Sequence, residues 1–317
     1  MKEALVSKGP KVQIVDSPIP TPNPDQVLIK VIVSGSNPKD WKVPVWFGST
    51  ANEGDDIAGI VEAVGANVFE FAPGDRVAAF HEMRTPHGSY AEYALAWQHT
   101  TFHIPPWSPP SSSPSPTPLI IYGASSAVGT YALQLARRTA IHPILCIAGR
   151  AQDRVLPLLT PSNGDALLDC RDGDAALVSS LVKAVDTLNL PADVPIAVLD
   201  AVSTDASVAN VGEFFRQTSR KGSVTFVLPG EKAGLPEGVE QTTTNVGCVH
   251  REDKDFGYVY FRYFARGLAE GWFRGQKTEV VPGGLAGVEG ALKKLMSGEA
   301  SAVKYVFRIG ETEGVVR

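Results

Sequence analysis

The rhythm of apolar and polar positions changes twice along the chain. In the first hundred residues the apolar stretches are short: 12–15, 27–33, 57–64 and 76–80. The turn cluster DSPIPTPNPD and the glycines Gly65, Gly74 and Gly88 separate them. Short runs rich in β-branched residues, regularly punctuated, predict strands of a small barrel or sandwich. After residue 118 the texture is different. Apolar runs at 119–122, 143–148, 196–199 and 224–228 read as buried strands. The segments 129–139 and 175–188 lie among them with apolar residues at helical spacing, such as Leu177, Leu181 and Val185. Strands alternating with helices predict a parallel sheet covered on both faces. A helix over 285–296 and a strand over 303–309 close the pattern.

The predicted class is therefore α/β, in two domains, which a chain of 317 residues can fill. The expected division is a β domain over 1–104, a connector over 105–118, an α/β domain over 119–278 and a return to the first domain over 279–317. The connector holds seven prolines and five serines in fourteen residues. That composition predicts an exposed, partly extended segment.

Bulk properties narrow the chemistry. The chain is 44% hydrophobic and 20% charged, ordinary for a soluble globular protein, with a net charge of -5. Neither nucleic acid nor an anionic membrane is an expected partner, since no Lys/Arg cluster opposes that charge. The first residues contain no apolar run of signal-peptide length, and no stretch reaches a membrane span, so a cytoplasmic location is expected. Cys146, Cys170 and Cys248 lie far apart and read as reduced thiols.

The segment LIIYGASSAVGTYALQLA, 119–136, carries the clearest functional signal. A strand ends at Tyr122, a helix begins near Ala127, and only small residues lie between. A dinucleotide pyrophosphate needs such a turn, where backbone approaches closely and a helix N-terminus offers unpaired N–H groups. Set against G-x-G-x-x-G, the turn reads Ala124, Ser126, Gly129, with two glycines replaced. Ser125 and Ser126 add hydroxyls. The next strand ends Ala148-Gly149-Arg150, where an NAD site usually carries a carboxylate. Arg150 matches a 2′-phosphate in forked geometry and favours NADPH. With Asp153 three residues on, a merely solvated Arg150 remains the alternative.

These features together resemble the medium-chain dehydrogenase/reductase superfamily, which joins a GroES-like β-barrel domain to a Rossmann domain. The resemblance rests on SGSNPKDWK at 34–42, GDDIAGIVEAVG at 54–65, FAPGDRV at 71–77, GSYAEY at 88–93 and the turn above. Zinc-dependent members carry a Cys near the first of these motifs and a His-Glu pair in the second. Here those places hold Ser36 to Asp40 and Asp55-Asp56, and no Cys precedes Cys146. His81, His87, His99 and His103 are scattered, so no zinc site is expected. NPKDWK and SGEASAVKYVFRI resemble more closely the fungal trans-acting enoyl reductases, the ToxD-like proteins of polyketide clusters. That resemblance implies NADPH-dependent reduction of an activated C=C bond in an enoyl thioester borne by a polyketide synthase carrier domain. It implies that Lys39, Asp40, Trp41 and Lys42 line the cofactor, with Lys42 nearest the chemistry. An ammonium there stabilises the enolate left by hydride addition and lends it a proton; a surface lysine beside a buried Trp41 is the plain alternative. Ser125, Ser126, Ala127 and Val128 would hold the phosphates, and Ala148, Gly149, Arg150 and Ala151 the adenosine ribose. Leu228 and Pro229 would lie near the nicotinamide, with Ala300 and Ser301 closing over it. Val246, Gly247, Cys248, Val249 and His250 would border the substrate. Asp169-Cys170-Arg171 stands where the family often has a tyrosine, which leaves no aromatic contact for adenine.

In the family an acidic helix and a second helix of small residues follow a strand like TFHIP. Here the chain runs directly into the Pro/Ser tract. The resemblance therefore implies a lost wall of the substrate pocket, with catalysis affected more than nucleotide binding. A quinone or small-enone reductase of the same fold, and an impaired nucleotide-binding partner protein, are the other expected readings. A monomer or homodimer fits all three.

Overall fold

The computed structural model describes residues 1–104, 115–230 and 232–315, and from 118 onward the side chains as well as the backbone of the strand that begins at Ser115. Two compact units emerge: one from the residues before 109 and after 246, the other from the residues between. Residues 105–114, most of the expected connector, lie outside the described residues.

In the first unit, β1 (Lys2–Ser7) and β2 (Lys11–Asp16) form an antiparallel ribbon. The larger sheet is organised by β3 (Gln26–Gly35). One edge of β3 pairs with β4 (Asp56–Val64), which continues through β5 (Arg76–Phe80) to β7 (Thr101–His103). The other edge is shared: β6 (Tyr93–Trp97) takes its first half and β15 (Val303–Arg308) its last three residues. β14 (Lys277–Val281) extends the sheet alongside β15 in parallel. The β-branched run of β3 alternates in and out, with Ile29 and Val31 buried and Lys30 and Ile32 exposed. Ile29, Val61, Val77, Tyr90 and Phe307 form the heart of this core together with Leu285 and Leu292, the latter on helix α6 (Val288–Met296). Burying each such side chain is worth roughly 1.5–3 kcal/mol.

Two helices of this unit are absent from the sequence reading. The short α1 (Lys39–Phe47) contains Pro44 and bulky Trp41, Val43, Val45 and Trp46, which weaken any local helix signal. The long α5 (Lys254–Glu270), KDFGYVYFRYFARGLAE, is rich in β-formers and contains Gly257 and Gly267. Its C-terminus is closed by Gly271 in the left-handed conformation, φ 74°. α5 packs on β7 and on the short turn at Gln98–Thr100, within the first unit, although the sequence reading placed 247–278 in the second domain.

The second unit is a six-stranded parallel sheet. Its elements in chain order are β8 (Ser115–Tyr122), α2 (Ala127–Arg138), β9 (Ile141–Ala148), β10 (Ala166–Asp169), α3 (Asp174–Thr187), β11 (Ile196–Asp200), α4 (Asp205–Thr218), β12 (Gly222–Phe226) and β13 (Val239–Thr243). The spatial order is β10-β9-β8-β11-β12-β13. Counted within the unit, this is 3-2-1-4-5-6, the doubly wound dinucleotide-binding order. The two faces separate cleanly along each strand. Ile120, Leu145 and Ile147 pack under α3 and α4 with Leu177, Phe214 and Phe215. Ile121, Ile144 and Cys146 pack under α2 with Leu133 and Ala136. Continuous apolar strands with both faces buried are what parallel packing requires. β8 starts at Ser115, inside the expected connector, and β12 lies two residues earlier than predicted.

Candidate functional site

The turn after β8 is shaped by two glycines. Gly123 sits at φ 78°, where an added Cβ would also meet Val202 at 2.5 Å. The N–H groups of Gly123 and Ala124 both donate to the Ile147 carbonyl at 2.9 Å, fixing the turn to β9. At Gly129 a Cβ would stand 2.2 Å from the Gly123 carbonyl oxygen and 2.8 Å from the Ala124 Cα. Only glycine lets α2 approach the turn this closely, the role of the third glycine in a dinucleotide fingerprint. Gly123, which the G-x-G-x-x-G alignment missed, is therefore as important to the turn as Gly129. Its signal was present: a glycine directly after an apolar strand.

Ser126 is the N-cap of α2, and its Oγ accepts from the Gly129 N–H at 3.0 Å. This bond orders the helix end, and the exposed Ala127 and Val128 carry the first N–H groups. Ser125 is half-buried beside them. The strand order reverses between β8 and β11, so the carboxyl ends of these strands form the switch point where such sheets bind ligands. Asp200 ends β11, fully buried. It accepts from the N–H groups of Val202 and Ser203 at 2.9 and 2.7 Å and from the Ser207 hydroxyl at 2.6 Å. The sequence reading missed this lock, although Thr204 and Ser207 form a capping box legible as T-x-x-S.

Ala148 and Ala151 are buried, while Arg150 is exposed. Asp169 pairs in register with Ala148, so a carboxylate does stand at the neighbouring strand tip. It is occupied by Arg171, whose Nε lies 2.9 Å away and whose hydrogen bonds hold the Asp169 carboxyl well below the usual range. Leu228 is half-buried and Pro229 exposed, just before Gly230 at φ 97°.

In the first unit, α1 turns its residues in different directions. Asp40 is fully buried and accepts from the Tyr90 hydroxyl at 2.5 Å and the Asn37 N–H at 2.8 Å. The Lys39 ammonium donates to the Glu53 carbonyl at 2.6 Å and lies 2.7 Å from Asp55 and 3.3 Å from Asp40. Both are expected cofactor contacts, and the structure shows both engaged in ion pairs and hydrogen bonds inside the unit. Trp41 and Lys42 are half-buried, with the Lys42 ammonium 5.8 Å from the Trp41 ring centroid. Partial burial lowers the Lys42 pKa from its ordinary value, which makes it a better proton donor. Ala300 packs on the core and Ser301 is exposed, just before β15.

The stretch 246–250 divides. Val246 ends the second unit, exposed, and the turn Val246–His250 carries the rest into the first. His250 is 5% exposed, its ring 5.0 Å from Phe80 and 6.0 Å from His99. Burial lowers its pKa to about 4, so it is a neutral interior group. Burial, with a hydrogen bond to Asp253, pushes the Cys248 thiol up to about 11.

Among the described residues, no three His, Cys, Asp or Glu side chains are grouped to hold a metal ion. At the places expected to carry zinc ligands in zinc-dependent members, Ser36 to Asp40 and Asp55-Asp56, the Lys39 ammonium is paired with carboxylates.

The alcohol dehydrogenase GroES-like domain matches residues 23–106. A trans-enoyl reductase of Gibberella fujikuroi, fsr4, is 41% identical over 315 residues, spanning 89% of this chain and 91% of that protein. A trans-enoyl reductase of Aspergillus sclerotiorum, resD, is 28% identical and spans 97% and 100%. An alcohol dehydrogenase superfamily protein from Novosphingobium aromaticivorans superposes with a TM-score of 0.72 at 17% identity, over 97% and 99% of the two chains. The chain belongs to the medium-chain dehydrogenase/reductase family. No helix among the described residues is long and apolar enough to cross a membrane.

Proposed function

We propose that this protein is an NADPH-dependent, zinc-independent enoyl reductase acting in trans on thioesters carried by a polyketide synthase. The observation that carries the reading is the 41% identity to a trans-enoyl reductase across nine-tenths of both chains. The second unit supports a nicotinamide nucleotide. It has the doubly wound order, a cradle at Gly123 and Gly129 that a Cβ would fill, and the exposed start of α2. Ser125 to Val128 would hold the phosphates and Ala148 to Ala151 the ribose, with Arg150 on a 2′-phosphate; Leu228, Pro229, Ala300 and Ser301 complete the proposed contacts. The bound nucleotide supplies the hydride. Lys42 stabilises negative charge on the thioester oxygen of the enolate and delivers the proton that reaches its α-carbon. Val246 to Val249 would border the substrate, with His250 behind them.

A second feature qualifies the rate. The alignment with the Aspergillus sclerotiorum relative runs over 367 positions against 317 residues here, so that relative carries segments this chain lacks. With a pocket wall among them, placement of the enone loosens, and misplacement by about 1 Å costs on the order of a hundredfold in rate. Purified protein with NADPH and an α,β-unsaturated acyl thioester should yield the saturated thioester, slowly, while nucleotide binding stays tight. Reduction of quinones but not of enoyl thioesters would replace this reading by the quinone reductase one. Nucleotide binding without reduction of either would leave a binding partner.

A further inference from the structure

Lys39 occupies an unusual position. Its ammonium is met by three carboxylates, from Asp55 at 2.7 Å, Asp40 at 3.3 Å and Glu53 at 3.9 Å, and by the Glu53 carbonyl at 2.6 Å. Those carboxylates belong to residues 0–3% exposed. Among the described residues Asp40 Oδ1, Glu53 Oε2 and Asp55 Oδ2 have no donor besides Lys39, so the one ammonium answers all three. Isolated buried carboxylates are strongly disfavoured, and three together repel one another. The chain brings them together from two elements, the start of α1 and the loop leading into β4. The neighbouring Asp56 is treated alike: the Lys304 ammonium on β15 contacts it and donates to Asn37 Oδ1 at 2.7 Å. A hard divalent cation calls for an oxygen-lined, anionic cage, and here the ammonium fills it, so the three carboxylates are not open to a metal ion.

We propose that Lys39 is a tethered cation standing in the place of a metal ion, and that the cage of Asp40, Glu53 and Asp55 binds α1 to the loop before β4 through it. The ammonium arrives with the chain, so the site is filled at the moment of folding and gives no opening to a metal. Lys39 is thus a positioning residue for the N-terminal turn of α1, whether or not Lys42 acts on substrate. The all-oxygen donor set predicts which ion replaces it once the side chain is cut back. A shortened side chain leaves room and excess negative charge for Ca²⁺ or Mg²⁺, with water completing the coordination.

The test is cation rescue of Lys39→Ala. In metal-free buffer this variant should melt below the wild type. Millimolar CaCl₂ or MgCl₂, each alone, should raise its Tm by about 5 °C or more, as ligand linkage requires, and titration calorimetry should find one site. The wild type should show neither response. In Lys39→Ala/Asp55→Asn the response should weaken at least tenfold in Kd. If Lys39→Ala folds only when refolded with the cation, the proposal stands. It is overturned if the variant stays unfolded with and without cation, if it folds but takes up neither ion, or if the wild type binds either ion equally well. None of these readouts depends on enoyl reduction, so the proposal can fail or hold apart from the proposed activity.

Discussion

The Lys39 ammonium lies 2.7 Å from the carboxylate of Asp55, and Lys304 contacts the next residue, Asp56, where β4 begins. Each of the two adjacent aspartates therefore has its own lysine, one from α1 and one from β15. Together they tie the motifs at 34–42, 54–65 and 297–309 into one local structure. Burial pushes Asp55 up to about 8 against the pull of Lys39. Burial would lower Lys39, but Asp40, Asp55 and Glu53 together hold it above the ordinary lysine value.

Tyr90→Phe tests the other side of this cluster. Tyr90 and Asp40 are both fully buried, and the hydroxyl donates to the carboxylate at 2.5 Å. Losing a hydrogen bond to a buried charged group should cost about 1.5–3 kcal/mol. Urea unfolding should show a lower midpoint at unchanged slope.

Gly129→Ala addresses the nucleotide turn. The added Cβ would fall 2.2 Å from a backbone oxygen, where no flexible side chain can give way. The helix must move off the strand, at a cost of about 1–3 kcal/mol for overpacking. NADPH affinity measured by fluorescence titration should drop at least tenfold, whereas Gly290→Ala, on α6 where an added Cβ meets nothing within 4 Å, should leave it unchanged.

In the proposed reading Arg150 pairs with the 2′-phosphate, so Arg150→Ala should weaken NADPH binding while leaving NADH nearly untouched. Equal nucleotide affinities in the unmodified protein would contradict the assignment.

The buried imidazoles predict a pH dependence. His250 is lowered to about 4 and His81 is also lowered, both chiefly by burial. In the unfolded chain each titrates near 6.5, so the unfolded state takes up more protons on acidification. Their contribution to stability is complete above pH 6.5 and is lost as pH falls toward 4. Glu82 opposes the His250 shift, while His99 and His81 add to it. Relative to the wild type, His250→Leu should lose up to about 3 kcal/mol less between pH 7 and pH 4. Chemical denaturation at the two pH values reads the difference.

Much of the architecture was legible in the sequence because burial leaves period and composition behind. The strands of the parallel sheet are continuous apolar runs, and α2 and α3 show their buried stripes. α1 and α5 were not legible for a shared reason: Pro44, the aromatics and the glycines argue locally against a helix, and tertiary contacts override them. The nucleotide turn was recognised through its small residues, although Gly123 and the capping role of Ser126 needed the backbone geometry. The motif NPKDWK was recognised as a unit, but not the different surroundings of its lysines, Lys39 among carboxylates and Lys42 near the Trp41 ring. Adjacent charges in sequence do not reveal which one is answered by carboxylates twelve or more residues away. The enclosure of Lys39 by Glu53 and Asp55 is visible only in the folded chain.

Single-turnover kinetics test most directly the proposed nucleotide-dependent enoyl reduction with Lys42 as proton donor. Wild-type protein and Lys42→Met are each mixed with NADPH and crotonyl thioester, and NADPH oxidation and saturated thioester are followed together. Equal amounts of both are expected in the wild type, with a rate on the order of a hundredfold or more lower in Lys42→Met at saturating NADPH, as loss of a general acid implies. Equal rates in the two proteins, or NADPH oxidation without saturated thioester, would contradict it.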